Sequence, residues 1–185
     1  MINPMYEKTK IKKPTAIIFD LDGVLCDSSL RFNRIDLKAF RHKDKEKFVA
    51  SLRHYCLDCE GDKIIPSGAG LLWALCDYHK PDKVLFITAR GIANFDPTMK
   101  WLKENNIFGA DHYDNELIMN PEDLDNFEFE DFDHASWKGK TAAKLAKQYE
   151  ILIAVDDSEA NVRSFVSRNI PTLKFIVPGL DKLNI

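Results

Sequence analysis

The sequence predicts an α/β fold, Rossmann-like and three-layered: a parallel sheet between two layers of helices, with a small helical cap inserted near its start. Three observations predict it. Apolar runs of strand length, Ala16-Ile17-Ile18-Phe19, Val84-Leu85-Phe86-Ile87 and Ile151–Val155, alternate with segments of helical spacing. These runs are continuously apolar, as in parallel strands buried on both faces, and each ends in a polar residue, Asp20, Thr88 or Asp156. Finally, the stretch between the first strand and Pro66 is too long for a simple strand-to-helix connection, which makes it an insertion.

Each element follows from local pattern. Thr15–Asp20 is the first strand. A largely helical stretch covers Leu30–Phe40 and Lys45–Tyr55, then a turn-rich link passes through Gly61-Asp62 and Pro66-Ser67-Gly68. Leu71, Leu72, Leu75 and Cys76 recur at helical spacing between Gly70 and Tyr78. Lys83 to Thr88 is the second buried strand. Pro97 to Asn105 is a short helix with proline in its first turn. Glu116–Met119 reads as a short strand, and Pro121–Asp133 as an acidic loop carrying Phe127, Phe129 and Phe132. A helix from about Ser136 to Tyr149 leads into the strand Ile151–Val155. Glu159 to Arg168 is helical, and Thr172–Val177 is the last strand.

With 185 residues, 45% hydrophobic and 30% charged, the chain has the size and balance of one globular domain. We place it at 14–185, with the cap at about 28–65 and a flexible, lysine-rich tail at 1–13. No apolar run approaches the ~20 residues that span a bilayer. The tail has no apolar core of a secretory signal, so the expected location is cytoplasmic, without membrane association. Cys56 and Cys59 form a lone C-x-x-C; with Cys26 and Cys76 they are expected to be reduced, structural thiols. The net charge of −3 hides an asymmetry. Arg31, Arg34, Lys38, Arg41, Lys43, Lys45, Lys47 and Arg53 crowd the cap, whereas no Lys or Arg occurs between Asp111 and Asp133. A basic element in an acidic chain suggests an anionic partner.

In an open parallel sheet the carboxyl ends of the strands lie along one edge, where ligands bind. Asp20/Asp22, Thr88-Ala89-Arg90 and Asp156-Asp157 therefore converge. Asp20 and Asp22 share one side of the chain by alternation, and carboxylates so close call for a hard cation such as Mg²⁺. Phosphoryl transfer needs such a set: a carboxylate nucleophile, a second acid to move protons, and fixed donors with a metal for the phosphoryl oxygens.

Asp20-Leu21-Asp22-Gly23-Val24-Leu25, Thr88, a lysine ahead of the last major strand, and Asp156-Asp157 resemble the four motifs of the haloacid dehalogenase (HAD) superfamily, in order, over Thr15 to about Val177. The resemblance implies the HAD fold. It also implies a Mg²⁺-dependent phosphomonoester hydrolase acting through an aspartyl-phosphate. Asp20 would be the nucleophile and Asp22 the general acid/base, also on the metal through its carbonyl. Thr88 would bind the phosphoryl group, and Asp20, Asp22, Asp156 and Asp157 would hold Mg²⁺, with Asp157 the favoured direct ligand. The motif lysine is Lys138 or Lys140, with Lys138 preferred. Asp27-Ser28-Ser29-Leu30-Arg31, Thr88-Ala89-Arg90 and Leu117-Ile118-Met119-Asn120-Pro121 resemble the branch holding the 3′-phosphatase domain of phage polynucleotide kinases, although Leu30 stands where many relatives have His. Substrate contacts are then expected from Arg31, Ala89 and Arg90, and the substrate is a nucleotide or polynucleotide 3′-phosphate. The alternative is a small-molecule phosphatase, a 5′-nucleotidase or sugar phosphatase. A non-catalytic binding module would have lost a motif residue, and none is missing. No P-loop pattern occurs in these residues, so no kinase half is expected among them.

Overall fold

The computed structural model describes residues 12–57, 59, 61–109, 113–121 and 134–178, the side chains of 54–57 excepted. Most of the tail, most of the acidic loop and the side chain of Cys56 lie outside them. The chain order is β1 (Thr15–Phe19), β2 (Cys26–Asp27), α1 (Ser29–Phe32), α2 (Leu37–Arg41), α3 (Lys45–Leu57), β3 (Lys63–Ile64), α4 (Pro66–His79), β4 (Lys83–Gly91), a 3-10 turn (Ile92–Asn94), α5 (Phe95–Glu104), β5 (Asp114–Asn120), α6 (His134–Leu145), β6 (Glu150–Asp156), α7 (Glu159–Val166) and β7 (Thr172–Lys174).

Five strands form one sheet in the order β5-β4-β1-β6-β7, every pairing parallel. Successive residues of β1 face opposite sides, so the sheet has two cores. Ile17 and Phe19 pack with Val84, Phe86, Leu72 and Cys76 of α4, and Trp101 and Leu102 of α5. Ala16 and Ile18 pack on the other face with Leu85, Ile87, Ala142 of α6 and Phe165 of α7. The fold is therefore α/β/α. From β1 the chain moves outward to β4 and β5 on one side, then crosses to β6 and β7 on the other, and such a reversal opens a crevice at the carboxyl ends of the strands.

The insertion is pinched at its base. β2 and β3 pair antiparallel, Cys26 opposite Ile64 and Asp27 opposite Lys63. Gly68, in the first turn of α4, approaches the loop after β1 so closely that a Cβ there would fall 1.8 Å from the Val24 carbonyl oxygen. The cap has its own small core of Ala39, Phe48 and Leu52, with Phe40 and Phe48 ring centroids 5.0 Å apart. The predicted helix over Leu30–Phe40 is two helices instead. Asp36 interrupts it because its side chain accepts hydrogen bonds from the Lys38 and Ala39 backbone N–H groups, 3.0 and 2.9 Å, and so starts a new helix. β4 runs past Thr88 to Gly91 because β5 continues to pair with it through Asn120.

Candidate active site

Asp20 is the first residue beyond β1, and its backbone N–H still donates to the Val155 carbonyl at 3.0 Å. That bond holds it level with the end of β6, where Asp156 stands. Lys138, in the second turn of α6, reaches between the two. Its ammonium lies 2.7 Å from Asp20 Oδ2 and 2.9 Å from Asp156 Oδ2, with only 1% of the side chain exposed. The other oxygen of Asp156 accepts from the Ser158 N–H and from Asn161 Nδ2, both at 2.9 Å. Lys140 is on the surface. α6 is fixed by close approach to α7: a Cβ on Gly139 would meet Ser164 Oγ at 2.2 Å, and that hydroxyl donates to the Ala135 carbonyl at 2.7 Å.

Asp157 completes this group. Asp20, Asp156 and Asp157 each offer an oxygen, all within 4.8 Å of one another. Gly23 has φ +80°, and a Cβ there would lie 2.2 Å from Asp157 Oδ2, so the turn after Asp20 packs directly on that carboxylate. Burial raises the Asp20 carboxyl well above the ordinary carboxylate range; Lys138 opposes this, and the neighbouring Asp156 and Asp157 add to it. Burial and Asp156 likewise push Asp157 up to about 6. Lys138 is held protonated by Asp156 and Asp20 against the cost of burial. The described residues place one ammonium among three carboxylates. Asp157 has no ion-pair partner among them, and a clustered, all-oxygen donor set suits a hard divalent cation.

A second group lies on the other side of the Asp20 turn. Asp22 Oδ2 accepts from Arg90 Nε at 2.8 Å, and its Oδ1 accepts from Arg90 Nη2 at 2.8 Å and Arg31 Nη2 at 2.9 Å. Burial would favour the neutral acid, but the two guanidinium groups outweigh it and hold Asp22 well below the ordinary carboxylate range. Arg90 is 1% exposed. Besides Asp22 it donates from Nη2 to Asp62 and Cys26 Sγ, both at 2.9 Å, and from Nη1 to Thr98 Oγ1 at 3.2 Å and Cys59 Sγ at 3.3 Å. Every nitrogen of its guanidinium therefore has an acceptor within the protein. Arg31 is 2% exposed and grips Asp62 with two short bonds, both 2.6 Å. Thr88 is fully buried at the level where the strands end, and its hydroxyl accepts from the Arg90 N–H at 3.2 Å; Ala89 between them is half-buried.

No family model and no curated protein matches the chain. Solved structures do. A chain of the Pnkp1/Rnl/Hen1 complex aligns at a TM-score of 0.58 and 20% identity, over 92% of this chain and 49% of its own length. In the Pnkp1/Rnl/Hen1 RNA repair complex the values are 0.55, 20%, 88% and 42%. A haloacid dehalogenase-like family hydrolase from Streptococcus pneumoniae aligns at 0.52 and 17% identity, over 87% of this chain and 84% of its own. The chain has the HAD fold. It spans less than half of each repair-complex chain it matches.

Within this HAD fold the residues predicted from sequence fall into two adjoining clusters: Asp20, Lys138, Asp156 and Asp157 in one, Asp22, Arg31 and Arg90 in the other. Arg31, counted in the sequence with the basic cap, is inside the protein; Arg34, Lys38, Arg41, Lys43, Lys47 and Arg53 are exposed. Phe40 and Phe48 belong to the cap core. Sequence reasoning missed Asp62, Cys26, Cys59, Thr98 and Asn161. Only Asn161 left a local signal, since it lies one turn inside the helix that follows Asp156. Asp62 and Cys59 reach the site through contacts about thirty residues apart, which no spacing reports, and neither Cys26 nor Thr98 stands in a pattern that marks it. Among the described residues no helix is long and apolar enough to cross a membrane.

Proposed function

We propose that the chain is a Mg²⁺-dependent phosphomonoester hydrolase that works through an aspartyl-phosphate on Asp20. The observation that carries this reading is the buried Asp20–Lys138–Asp156 chain with Asp157 beside it at the carboxyl edge of the sheet. Asp20 would attack phosphorus and expel the alcohol. Lys138 neutralises charge on the nucleophile, and Thr88 donates to a phosphoryl oxygen. Asp20, Asp156 and Asp157, with the Asp22 carbonyl, would hold the Mg²⁺. When bound, the cation withdraws charge from the phosphoryl oxygens.

Asp22 handles protons. Its arginines favour the ionised carboxylate, the form that accepts the proton of the water attacking the acyl phosphate. The phosphoryl dianion, brought close, raises its proton affinity for the opposite half-reaction, in which it protonates the departing oxygen.

For the substrate we propose a nucleotide or polynucleotide 3′-phosphate. Support comes from the exposed basic residues of the cap and from the likeness to chains of an RNA repair complex. A small-molecule phosphatase is the second reading, favoured by the cap aromatics Phe40 and Phe48, which pack inward rather than offering a surface for bases. The test is a panel of 3′-phosphorylated oligonucleotides, mononucleotides and sugar phosphates, assayed with Mg²⁺ at rising salt. Preference for oligonucleotide ends that falls steeply with salt supports the first reading. A flat salt response with best turnover of a small ester supports the second. Asp20→Asn should abolish both activities with the fold retained, and appreciable turnover by it would refute the nucleophile assignment.

A further inference from the structure

We infer that Asp62 is a positioning residue for the phosphoryl reaction, acting through Arg31 and Arg90 on Asp22; this rests on the hydrolase reading above. Asp62 comes from outside every motif in the sequence, at the turn into β3 where the cap returns to the domain. β3 pairs with β2, and this brings Asp62 beside Cys26 and the loop carrying Asp22. Its side chain is 1% exposed. A buried carboxylate in that position needs a purpose, because burying a charge is costly unless it is paired.

The pairing is specific. Asp62 Oδ1 accepts from Arg31 Nε, and Oδ2 accepts from Arg31 Nη2 and from Arg90 Nη2. Arg31 and Arg90 both donate to Asp22 as well. Two guanidinium groups and two carboxylates of balanced charge are thus linked, with the Asp62 side chain 1% exposed. It fixes the two arginines, and they fix the orientation of Asp22. Asp62 is itself anchored from the domain side, since Trp101 Nε1 donates to its carbonyl at 3.0 Å. The seating of the cap is thereby tied to the group that moves protons.

Asparagine cannot replace it. One of its two terminal atoms is an NH₂ that would face a guanidinium N–H, donor against donor. With that side of both guanidinium groups mismatched, above all Arg31, which gives Asp62 two bonds, their grip on Asp22 would loosen. In the step that expels the alcohol the loss should follow the leaving group, because a general acid matters only where the leaving oxygen is poor.

The experiment measures steady-state turnover of an alkyl phosphate and of p-nitrophenyl phosphate, with Mg²⁺, for the wild type and Asp62→Asn. The expected result is a fall in kcat/KM, which reports only the steps up to release of the alcohol, of ~10- to 100-fold for the alkyl ester, within the reach of general acid catalysis, against less than about threefold for the aryl ester. kcat is left out of the comparison, because it also contains hydrolysis of the aspartyl-phosphate common to both esters, in which Asp22 is the base. Equal losses for the two esters in a variant of wild-type circular dichroism would overturn the assignment, since a merely structural role scales both alike. Should Asp62→Asn fail to fold, Trp101→Phe takes its place, removing the indole donor to the Asp62 carbonyl together with part of the packing of a buried core ring; the ester ratio cancels the general loss. A shifted alkyl-to-aryl ratio then supports the role, and an unchanged ratio overturns it. A wild type that hydrolyses neither ester overturns the hydrolase reading itself and this role with it, an outcome distinct from equal losses.

Discussion

Replacing Lys138 by Met removes one positive charge from among three carboxylates while keeping a side chain of similar length. The ammonium sits 2.7 Å from Asp20 and 2.9 Å from Asp156 with 1% of its side chain exposed, so bulk solvent does not replace the charge it supplies. Two routes are open to the variant. It can leave a buried carboxylate unpaired, at a cost of about 3–5 kcal/mol. Alternatively one carboxyl binds a proton; for a group that ordinarily ionises near 3.9, doing so at pH 7 costs roughly 4 kcal/mol. The routes agree on about 4 kcal/mol, which in a domain of this size lowers Tm by roughly 8–16 °C. Lys140→Met, at an exposed position of the same helix, should stay within about 0.5 kcal/mol. The assay is thermal unfolding followed by circular dichroism in EDTA. The proton route also fixes a pH dependence. Burial already raises the Asp20 carboxyl, so in the variant the folded state binds a proton that the unfolded chain releases at pH 7. Stability therefore recovers as pH falls, and at pH 5 the gap to wild type shrinks to roughly 1.5 kcal/mol. If the two lysine variants melted within a degree or two of each other, or the gap widened toward pH 5, the buried bridge would be refuted.

Three further outcomes are expected. Gly23→Ala combines a positive φ, worth about 1–2 kcal/mol against any Cβ, with a Cβ placed 2.2 Å from Asp157 Oδ2. Its Mg²⁺ requirement for activity should rise ~10-fold or more, and an unchanged Mg²⁺ titration would show that the turn does not position Asp157. Mg²⁺ at ~100 times its dissociation constant should stabilise the wild type by about 2.7 kcal/mol, read as a rise in Tm, whereas Asp157→Asn should lose most of that gain. Finally, burial pushes the Cys76 thiol up to about 11 and raises Cys26 as well. With Cys59 also buried, iodoacetamide at pH 8 should leave all three unmodified in the folded protein and alkylate them in urea; rapid labelling of any one, read by mass spectrometry, would contradict its placement.

How far the site was legible depends on whether its residues lie on a periodic element. β1, β4 and β6 were readable because strands buried on both faces must be apolar throughout, and a parallel topology then carries Asp20, Thr88 and Asp156 to one edge. The choice between Lys138 and Lys140 was also within reach of the sequence. Lys138, Ala142 and Leu145 recur at intervals of four and three and share the inward face of α6, whereas Lys140, Lys144 and Lys147 recur at the same intervals and are all exposed. A lysine in phase with the apolar face has to find carboxylates, and here it finds two. Arg31 and Asp62 obey no such rule. Arg31 sits in a charge run whose other members mostly face solvent, and what separates it from them is a partner 31 residues away in a turn. An ion pair between a cap helix and the strand that returns from the cap leaves no mark in local spacing, because either residue alone is an ordinary surface type. Such a pair becomes visible only once β2 and β3 close the base of the insertion. The same closure that hides Asp62 from sequence reasoning therefore gives it its leverage. A carboxylate delivered by the last turn of the cap can hold Arg31 and Arg90 on Asp22 only while the cap is seated.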